Sequence, residues 1–386
     1  MEHTTDVVIV GGGVIGCAIA YYLRKANVDV MVLDEGEIGG QASSAAAGLL
    51  APLGPLTGPG PFADLLLASF ALFPSVVPEL EDLTGLDLGY EQTGALRTVS
   101  NPKRVSNLQQ RMEAWQPLGL KMQWLTGDEA RQMEPLLAPG VCAAIYVPEE
   151  SQIKAPQIVK AFANAAVKLG AKIYSHKKVT SIQREENKVT GVKTAEGDTI
   201  ACDHMILTTG AWTGLYDSWL DISLPVVPHR GQIISMKQPA TALRYIIFGG
   251  SAYLVPRDGS IIIGATKEEV GFDIQVTNEG LSWLYKSAAK LVPSLQGSKA
   301  ELSWAGLRPK TPDKYPILGA APGWQNVTLA VGHNSVGVIL SIITGQSIAQ
   351  LVTTKETSEI TLPFSLNRFV KKHSSNTQLA QSTLES

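Results

Sequence analysis

Cysteine is scarce: Cys17, Cys142 and Cys202 are the only three in 386 residues. They lie far apart, in neither a paired disulfide framework nor a metal-binding spacing. A reducing, cytoplasmic setting is the expectation. Charge is scarce as well, with 17% charged residues, a formal net charge of −3 and no basic run beyond Lys371 and Lys372. That removes the electrostatic footprint of a nucleic-acid binder. His3, His176, His204, His229 and His373 show no ligand spacing, so no metal is expected. The first apolar run, "VVIV" at 7–10, stops at glycine without the basic flank or cleavage site of a leader peptide. The apolar stretch at 335–352 contains Ser and Gln and reads as too short for a membrane span. No internal repeat is visible. What remains is a chain of 45% hydrophobic composition, long enough for two domains, whose expected partners are small molecules.

What the sequence does have begins at its start. "DVVIVGGGVIGCAIAYYLRKANVDVMVLDEG" reads as strand, glycine turn, helix from about Ile15 to Lys25, and second strand ending at Asp34. Gly11, Gly13 and Gly16 match G-x-G-x-x-G, supplying a tight turn, close backbone approach to a pyrophosphate, and close helix–strand packing. The helix start offers N–H groups to phosphates, and Asp34 can accept hydrogen bonds from an adenosine ribose. A dinucleotide is the expected ligand. No second copy of the motif offers another dinucleotide site.

Further along, "GGQASSAAAGLLAP" at 39–52 is almost all small residues, which lets backbone approach a flat cofactor or simply makes a flexible loop. "PLGPLTGPGPF" at 52–62 reads as a lid, a lining or a plain linker. Thr126 and Glu129 form a capping box. A helix from about Pro156 to Leu169 ends at Gly170, followed by the strand-like runs "KVTSI", "KVTGVKT", "DTIACD" and "HMILTTG". "ILTTGAWTG" at 206–214 suits a second cofactor contact. From 223 to 303, longer alternating strands such as "AYLVPRDGSIIIGAT" and the helical "EGLSWLYKSAAKLVPSL" predict a second, antiparallel domain. The tail is polar and expected to be disordered. Arg308 stands alone in "WAGLRPKTPDKYPILG" among Gly, Pro and apolar residues. A guanidinium there calls for a carboxylate, from an internal Asp or Glu or from a ligand, because leaving it unpaired in a dry site costs several kcal/mol.

"VVIVGGGVIG", "GGQASSAAAGLLAP", "AYLVPRDGSIIIGATKEEVGFD", "WAGLRPKTPDKYPILG" and "VGHNSVGVILS", over about residues 5–355, resemble the FAD-dependent D-amino-acid oxidase superfamily in order and spacing. Within it the combination of "SSAAAGLL", "YLVPR", "GATKEEVGFD" and "WAGLRP" is most similar to the bacterial glycine oxidases of thiazole, and hence thiamine, synthesis. The resemblance implies α/β architecture with an added antiparallel sheet: a discontinuous, Rossmann-like FAD-binding domain (1–86, 148–222, 304–365) interleaved with a substrate domain (87–147, 223–303). The polar tail from Lys371 sets the expected disordered segment at 366–386.

The resemblance also implies noncovalent FAD with its isoalloxazine at the domain interface. The cofactor contacts then fall on Gly11, Gly13, Val14, Ile15, Gly16, Asp34 and Glu35 in the first unit, and on Gln41, Ser43, Ser44, Ala47, Gly48 and Leu49 in the small-residue stretch. Val179, Thr209, Gly210, Trp212 and Arg308 follow, with His333, Asn334, Ser335, Val336, Gly337, Val338 and Ile339 at the flavin's pyrimidine end. Arg308 takes the substrate carboxylate and Tyr253 helps hold it, although Tyr253 also reads as a core strand tyrosine. Leu49, Ser251, Lys267 and Ser335 are further substrate-side candidates; "KEE" after Ala265 and Thr266 is equally an ordinary solvated turn, and His333 equally a structural histidine. Glycine oxidases often carry arginine where this chain has Ser335 and histidine where it has Ser251.

The implied reaction is oxidative deamination of glycine, sarcosine or a small D-amino acid by hydride transfer from Cα to flavin N5. Oxygen is then reduced to hydrogen peroxide and the imine hydrolyses to an oxo acid. Two alternatives stay open: a dehydrogenase passing electrons to a quinone or another acceptor, and a flavin-binding protein of assembly or tRNA modification. A cytoplasmic homo-oligomer, dimer or tetramer, is expected.

Overall fold

The structure is a computed structural model that describes residues 3–369. The chain opens with β1 (His3–Val10), α1 (Val14–Lys25) and β2 (Val30–Leu33), which runs parallel to β1. Val7, Val8, Ile9 and Val10 are all buried, as expected of a parallel strand covered on both faces. Short α2 (Ala42–Ala45) and β3 (Leu49–Leu50) lead to α3 (Pro61–Thr84), which Pro61 opens and Gly85 closes at φ +73°. Then come β4 (Ala95–Val99), α4 (Val105–Trp115), β5 (Gln123–Thr126), α5 (Gly127–Met133) and β6 (Ala143–Val147). The Thr126–Glu129 capping box starts α5.

β7 (Ser151–Gln152) pairs with β3, and α6 (Ala155–Lys168) and β8 (Lys172–Tyr174) follow. β9 (Val179–Glu185), β10 (Lys188–Thr194) and β11 (Thr199–Leu207) form a meander. "DTIACD" and "HMILTTG", expected as separate runs, are one strand: its second half, from His204, keeps pairing with β1 where its first half began. After α7 (Asp217–Leu220) come β12 (Val227–Lys237), β13 (Ile246–Gly249), β14 (Ala252–Arg257) and β15 (Ser260–Gly264). Asp258 and Gly259, at φ +47° and +77°, make the tight turn between the last two. α8 (Asn278–Leu291), β16 (Ala300–Lys310), β17 (Ile317–Ala320), β18 (Val327–Val331) and α9 (Gly337–Thr354) complete the order.

Two large sheets result. The first runs β17-β18-β11-β1-β2-β8, with β10 and β9 attached through β11; the second runs β16-β12-β15-β14-β13-β4-β6-β5. The strands of the second are antiparallel neighbours except β13 beside β4. The chain visits the sheets alternately. One boundary differs from the sequence reading: residues 304–310, expected with the first domain, pair along β12 in the second sheet, because β16 continues to Lys310.

α1, α3, α6 and α9 share one apolar core over the first sheet, and α8 packs on the second. α3 and α9 are both long and apolar enough to cross a membrane, which corrects the expectation for 335–352; 67% of the α9 window is buried inside the protein, in the manner of a core helix. Its fully buried aliphatics each contribute about 1.5–3 kcal/mol and anchor the turn at 332–336 that precedes it. The expected disordered tail begins too early, since Leu366 is buried in a short 3-10 turn and Arg368 pairs with Asp313 at 2.7 Å. The rest of that expectation, 370–386, lies outside the described residues.

Candidate active site

A cleft of about 1220 Å³ is lined by both sheets. That exceeds the ~300–1,000 Å³ of an ordinary small-molecule pocket, and suits a dinucleotide with room for a second ligand. One end is the glycine turn. Gly11 has φ +109°, and a Cβ there would meet Thr208 O at 2.6 Å. A Cβ at Gly16 would meet the Gly11 carbonyl, and Thr208 Oγ1 at 2.8 Å. At Gly13 the only neighbour among the described residues is Ser43 Oγ at 3.2 Å, so the space beside its backbone is otherwise open. This is the cradle a pyrophosphate needs. Asp34 bridges the turn, its Oδ2 accepting from Gly12 N–H at 2.6 Å and its Oδ1 from Gly36 N–H at 2.8 Å, while Ser43 Oγ accepts from Val14 N–H at 3.0 Å.

Val14, Ile15, Glu35, Gln41, Ala47, Gly48, Leu49, Val179, Thr209, Gly210 and Trp212 also line the cleft. Gly16 and Ser44 do not. Gly16 is spent on packing α1 against the turn, and in α2 the Ser44 N–H is turned back to the Gly39 carbonyl at 3.1 Å. Trp212 stacks on Phe272 with ring centres 5.8 Å apart. At α9, residues 333–339 line the cleft, and the first-turn N–H groups have no intrahelical acceptor. A helix N-terminus of this kind favours negative charge. The His333 ring itself is buried against Thr344 Oγ1 at 3.2 Å, and burial pushes its pKa down to about 3, so it is neutral.

The second sheet supplies Arg308 and Tyr253. Arg308 Nη1 donates to the carbonyls of Arg230 at 3.3 Å and Thr266 at 3.1 Å. Among the described residues no carboxylate lies within ion-pair distance of it; the nearby acids are taken, Glu268 and Asp273 by Arg230 and Glu269 by Lys310. Burial lowers the Arg308 pKa, with Tyr253 and Glu268 opposing. The Tyr253 hydroxyl has no hydrogen-bond partner among the described residues, and burial raises its pKa to about 12 against the pull of Arg308 and Arg257. It therefore keeps its proton and can donate. Two glycines make room for these heads. A Cβ on Gly231 of β12 would crowd Arg308 Nη1, Nη2 and Cζ, and one on Gly264 of β15 would crowd the Tyr253 hydroxyl.

Leu49 packs with Tyr253 and Ile262 beside Ala47, Ile233 and Ala265. Ser251, Lys267 and Ser335 are exposed on the cleft's rim. Lys267 has no ion pair among the described residues. Gly54, Pro55, Thr57 and Phe62 place the Pro/Gly-rich stretch in the lining.

Sequence reasoning missed the notch that Gly231 and Gly264 leave for the Arg308 and Tyr253 heads, His229, and an arm of the cleft formed by Arg97, Thr98, Leu108, Arg111, Trp115 and Phe248. His229 pairs directly across from Arg308, and burial, then Arg308, lowers its pKa. The signal for Arg97 was present: an arginine inside the apolar "ALRTV", the pattern that singled out Arg308. Among the described residues no three His, Cys, Asp or Glu side chains gather as metal ligands.

The sequence profile of the FAD-dependent oxidoreductase family matches residues 6–351. The chain is 36% identical to a glycine oxidase of Geobacillus kaustophilus over 96% of its own length and 99% of the relative's. The crystal structure of a glycine oxidase from that organism superposes with a TM-score of 0.91, covering 95% of this chain and 99% of the other. A bifunctional ThiO/ThiG protein of Synechocystis is 34% identical over 96% of this chain and 55% of that longer protein.

Proposed function

The chain belongs to the FAD-dependent oxidoreductase family, and from that premise we propose that it is an amino-acid oxidase of the glycine oxidase kind, acting on glycine, sarcosine or a small D-amino acid. The observation that carries the substrate class is Arg308: a desolvated guanidinium, without a carboxylate partner among the described residues, beside a protonated tyrosine in the same cleft. Those are the donors a ligand carboxylate would satisfy.

The open cradle at Gly13 and the start of α1 would hold the diphosphate of FAD, and Asp34 would hold its ribose. The first-sheet unit is then the cofactor domain and the second sheet the substrate domain. When bound, FAD would supply the two-electron acceptor for the hydride leaving Cα, with oxygen as the final oxidant, reduced to hydrogen peroxide.

The protein's share is placement. Arg308 would donate to the carboxylate from the N–H groups that the carbonyls of Arg230 and Thr266 leave free, and Tyr253 Oη–H would donate a further bond. The amine must shed its proton before Cα–H can leave as hydride, because the nitrogen lone pair stabilises the iminium that forms on the substrate. No charged side-chain base is required for this if the free amine binds. Orientation of this sort supplies up to ~7–11 kcal/mol in well-aligned systems. Water then hydrolyses the released imine to the oxo acid. The N-terminus of α9 lies where backbone N–H groups can stabilise negative charge that develops in the cleft.

The test is anaerobic addition of glycine, sarcosine and small D-amino acids to the yellow protein, followed by the same panel in air. Bleaching of the visible flavin band and stoichiometric peroxide in air are expected. Bleaching without peroxide transfers the assignment to a dehydrogenase with another acceptor, and no bleaching by any amino acid overturns it.

A further inference from the structure

The substrate face of the second sheet continues past Tyr253. In register, Gly264 lies opposite Tyr253, Tyr253 opposite Phe248, and Phe248 opposite Arg97, so these residues stand in one row on one face. The Tyr253 hydroxyl leans back over Gly264, and the Arg97 guanidinium leans over Phe248, 4.3 Å from its ring centre. Those two heads lie over β15 and β13, two strands apart, which at 4.7–4.9 Å per strand is ~10 Å. Trp115, at the end of α4, closes the arm: Arg97 lies 5.4 Å and Arg111 4.5 Å from its ring centre.

The charges in this arm do not balance. Glu150, fully buried, pairs with Arg97 and accepts from Leu53 N–H at 3.3 Å. Arg97 Nε is buried without an acceptor. Arg111 lines the same cleft, and among the described residues it has neither a hydrogen-bond nor an ion-pair partner. Burial and the neighbouring Arg97 both lower its pKa, a cost that an anion would relieve. Among the described residues only Arg97 of these two arginines has a carboxylate partner, which leaves the Arg111 charge uncompensated in a recess walled by two aromatic rings. The glycine turn and Asp34, which suit the cofactor's phosphates and ribose, stand on the first sheet and not here.

We propose that this arm is a second anion subsite, centred on Arg111 and Arg97, and that the cleft takes amino acids carrying a second carboxylate at the far end of the side chain or N-substituent. The proposal rests on the reading of Arg308 as the clamp for the first carboxylate. The Arg308 head lies over Gly231 of β12, three strands from β13, so the guanidinium heads of Arg308 and Arg97 are ~14 Å apart; with each carboxylate needing one hydrogen-bond length, a chain of a few methylenes joins the two. The aromatic walls of Phe248 and Trp115 would pack against that chain.

Arg97 is a poor residue to remove, since its loss strands the buried Glu150 charge. Arg111 is exposed, so its truncation leaves no buried charge behind. The test uses dead-end ligands that need no turnover: glutarate, adipate and suberate against pentanoate, hexanoate and octanoate, titrated into the FAD-loaded enzyme and read from the flavin absorbance change. At the best chain length the dicarboxylate should bind at least tenfold more tightly than its matched monocarboxylate. Arg111→Ala should bring that ratio close to one, whereas Arg308→Ala should weaken both kinds of ligand. Monocarboxylate binding with no preference for a second carboxylate at any length, or a preference that survives Arg111→Ala, overturns the subsite alone. Failure of either kind of acid to bind overturns the clamp and the subsite with it.

Discussion

Alanine at Gly231 should cripple amino-acid oxidation without harming the fold. Gly231 lies within β12, opposite Gly306 of β16, and its backbone is not in the left-handed region, so the strand conformation accepts alanine. The obstacle is Arg308. An added Cβ would fall far inside contact distance of Nη1, Nη2 and Cζ, and reaching the 3.4 Å at which ordinary contact begins forces the guanidinium back by about an ångström. The head of a long side chain can move that far at small cost to stability. For catalysis the same shift is expensive, because an ångström of misplacement in an aligned site costs about 100-fold, or ~2.7 kcal/mol. The assay is kcat/KM for glycine and sarcosine in the wild type, Gly231→Ala, Arg308→Ala and the double variant, with FAD content and Tm measured on each. We expect the glycine variant to hold FAD and its Tm, and the double variant to be no worse than Arg308→Ala alone. Additive losses, or a loss that tracks FAD release or unfolding, would refute the idea that the glycine acts through the arginine.

Gly13→Val should purify without FAD, since the side chain occupies the open cradle; a normal flavin content measured by absorbance would contradict this. Acid precipitation of the wild type should leave FAD in the supernatant, and flavin retained in the pellet would show a covalent link. His204, buried on β11 with Thr328 Oγ1 at 2.8 Å as its one side-chain partner among the described residues, has its pKa lowered from 6.5 to about 4, chiefly by burial. Its folded pKa is below the unfolded one, so stability present above pH 6.5 is lost as pH falls toward 4. At 1.36 kcal/mol per pKa unit the loss approaches ~3 kcal/mol. Denaturant titrations at several pH values should show a shallower acid decline in His204→Gln, and parallel curves would rule the histidine out.

How much of this was legible in the sequence followed from how local each feature is. Strand, glycine turn, helix and Asp34 lie within one short stretch, and each glycine has a steric reason that residue type alone announces. α3 went unread because Pro74 and Pro78 sit inside it and break the helical pattern that sequence reasoning relies on. β11 read as two runs because polar Asp203 and His204 interrupt its apolar pattern, while its pairing with β1 is a tertiary fact. The notch glycines were invisible for a related reason. Gly231 matters only because register brings it under Arg308, many residues away, and Gly264 only because β15 lies beside Tyr253. Arg97 could have been found, by asking of "ALRTV" the question asked of "WAGLRP".

The central claim is that Arg308 holds the substrate's carboxylate, and substrate selectivity in its variants tests it most directly. Truncating one partner of a charged pair in a desolvated site costs ~2–5 kcal/mol, so Arg308→Ala should lower kcat/KM for glycine and sarcosine by about 30-fold or more with FAD still bound. Arg308→Lys should recover only part, because lysine keeps the charge and loses the fork. An amine without a carboxylate never engages the clamp and should lose little in either variant. Equal losses for the amino acids and the simple amine, or unfolding in place of lost activity, would show that Arg308 is structural and contradict the account.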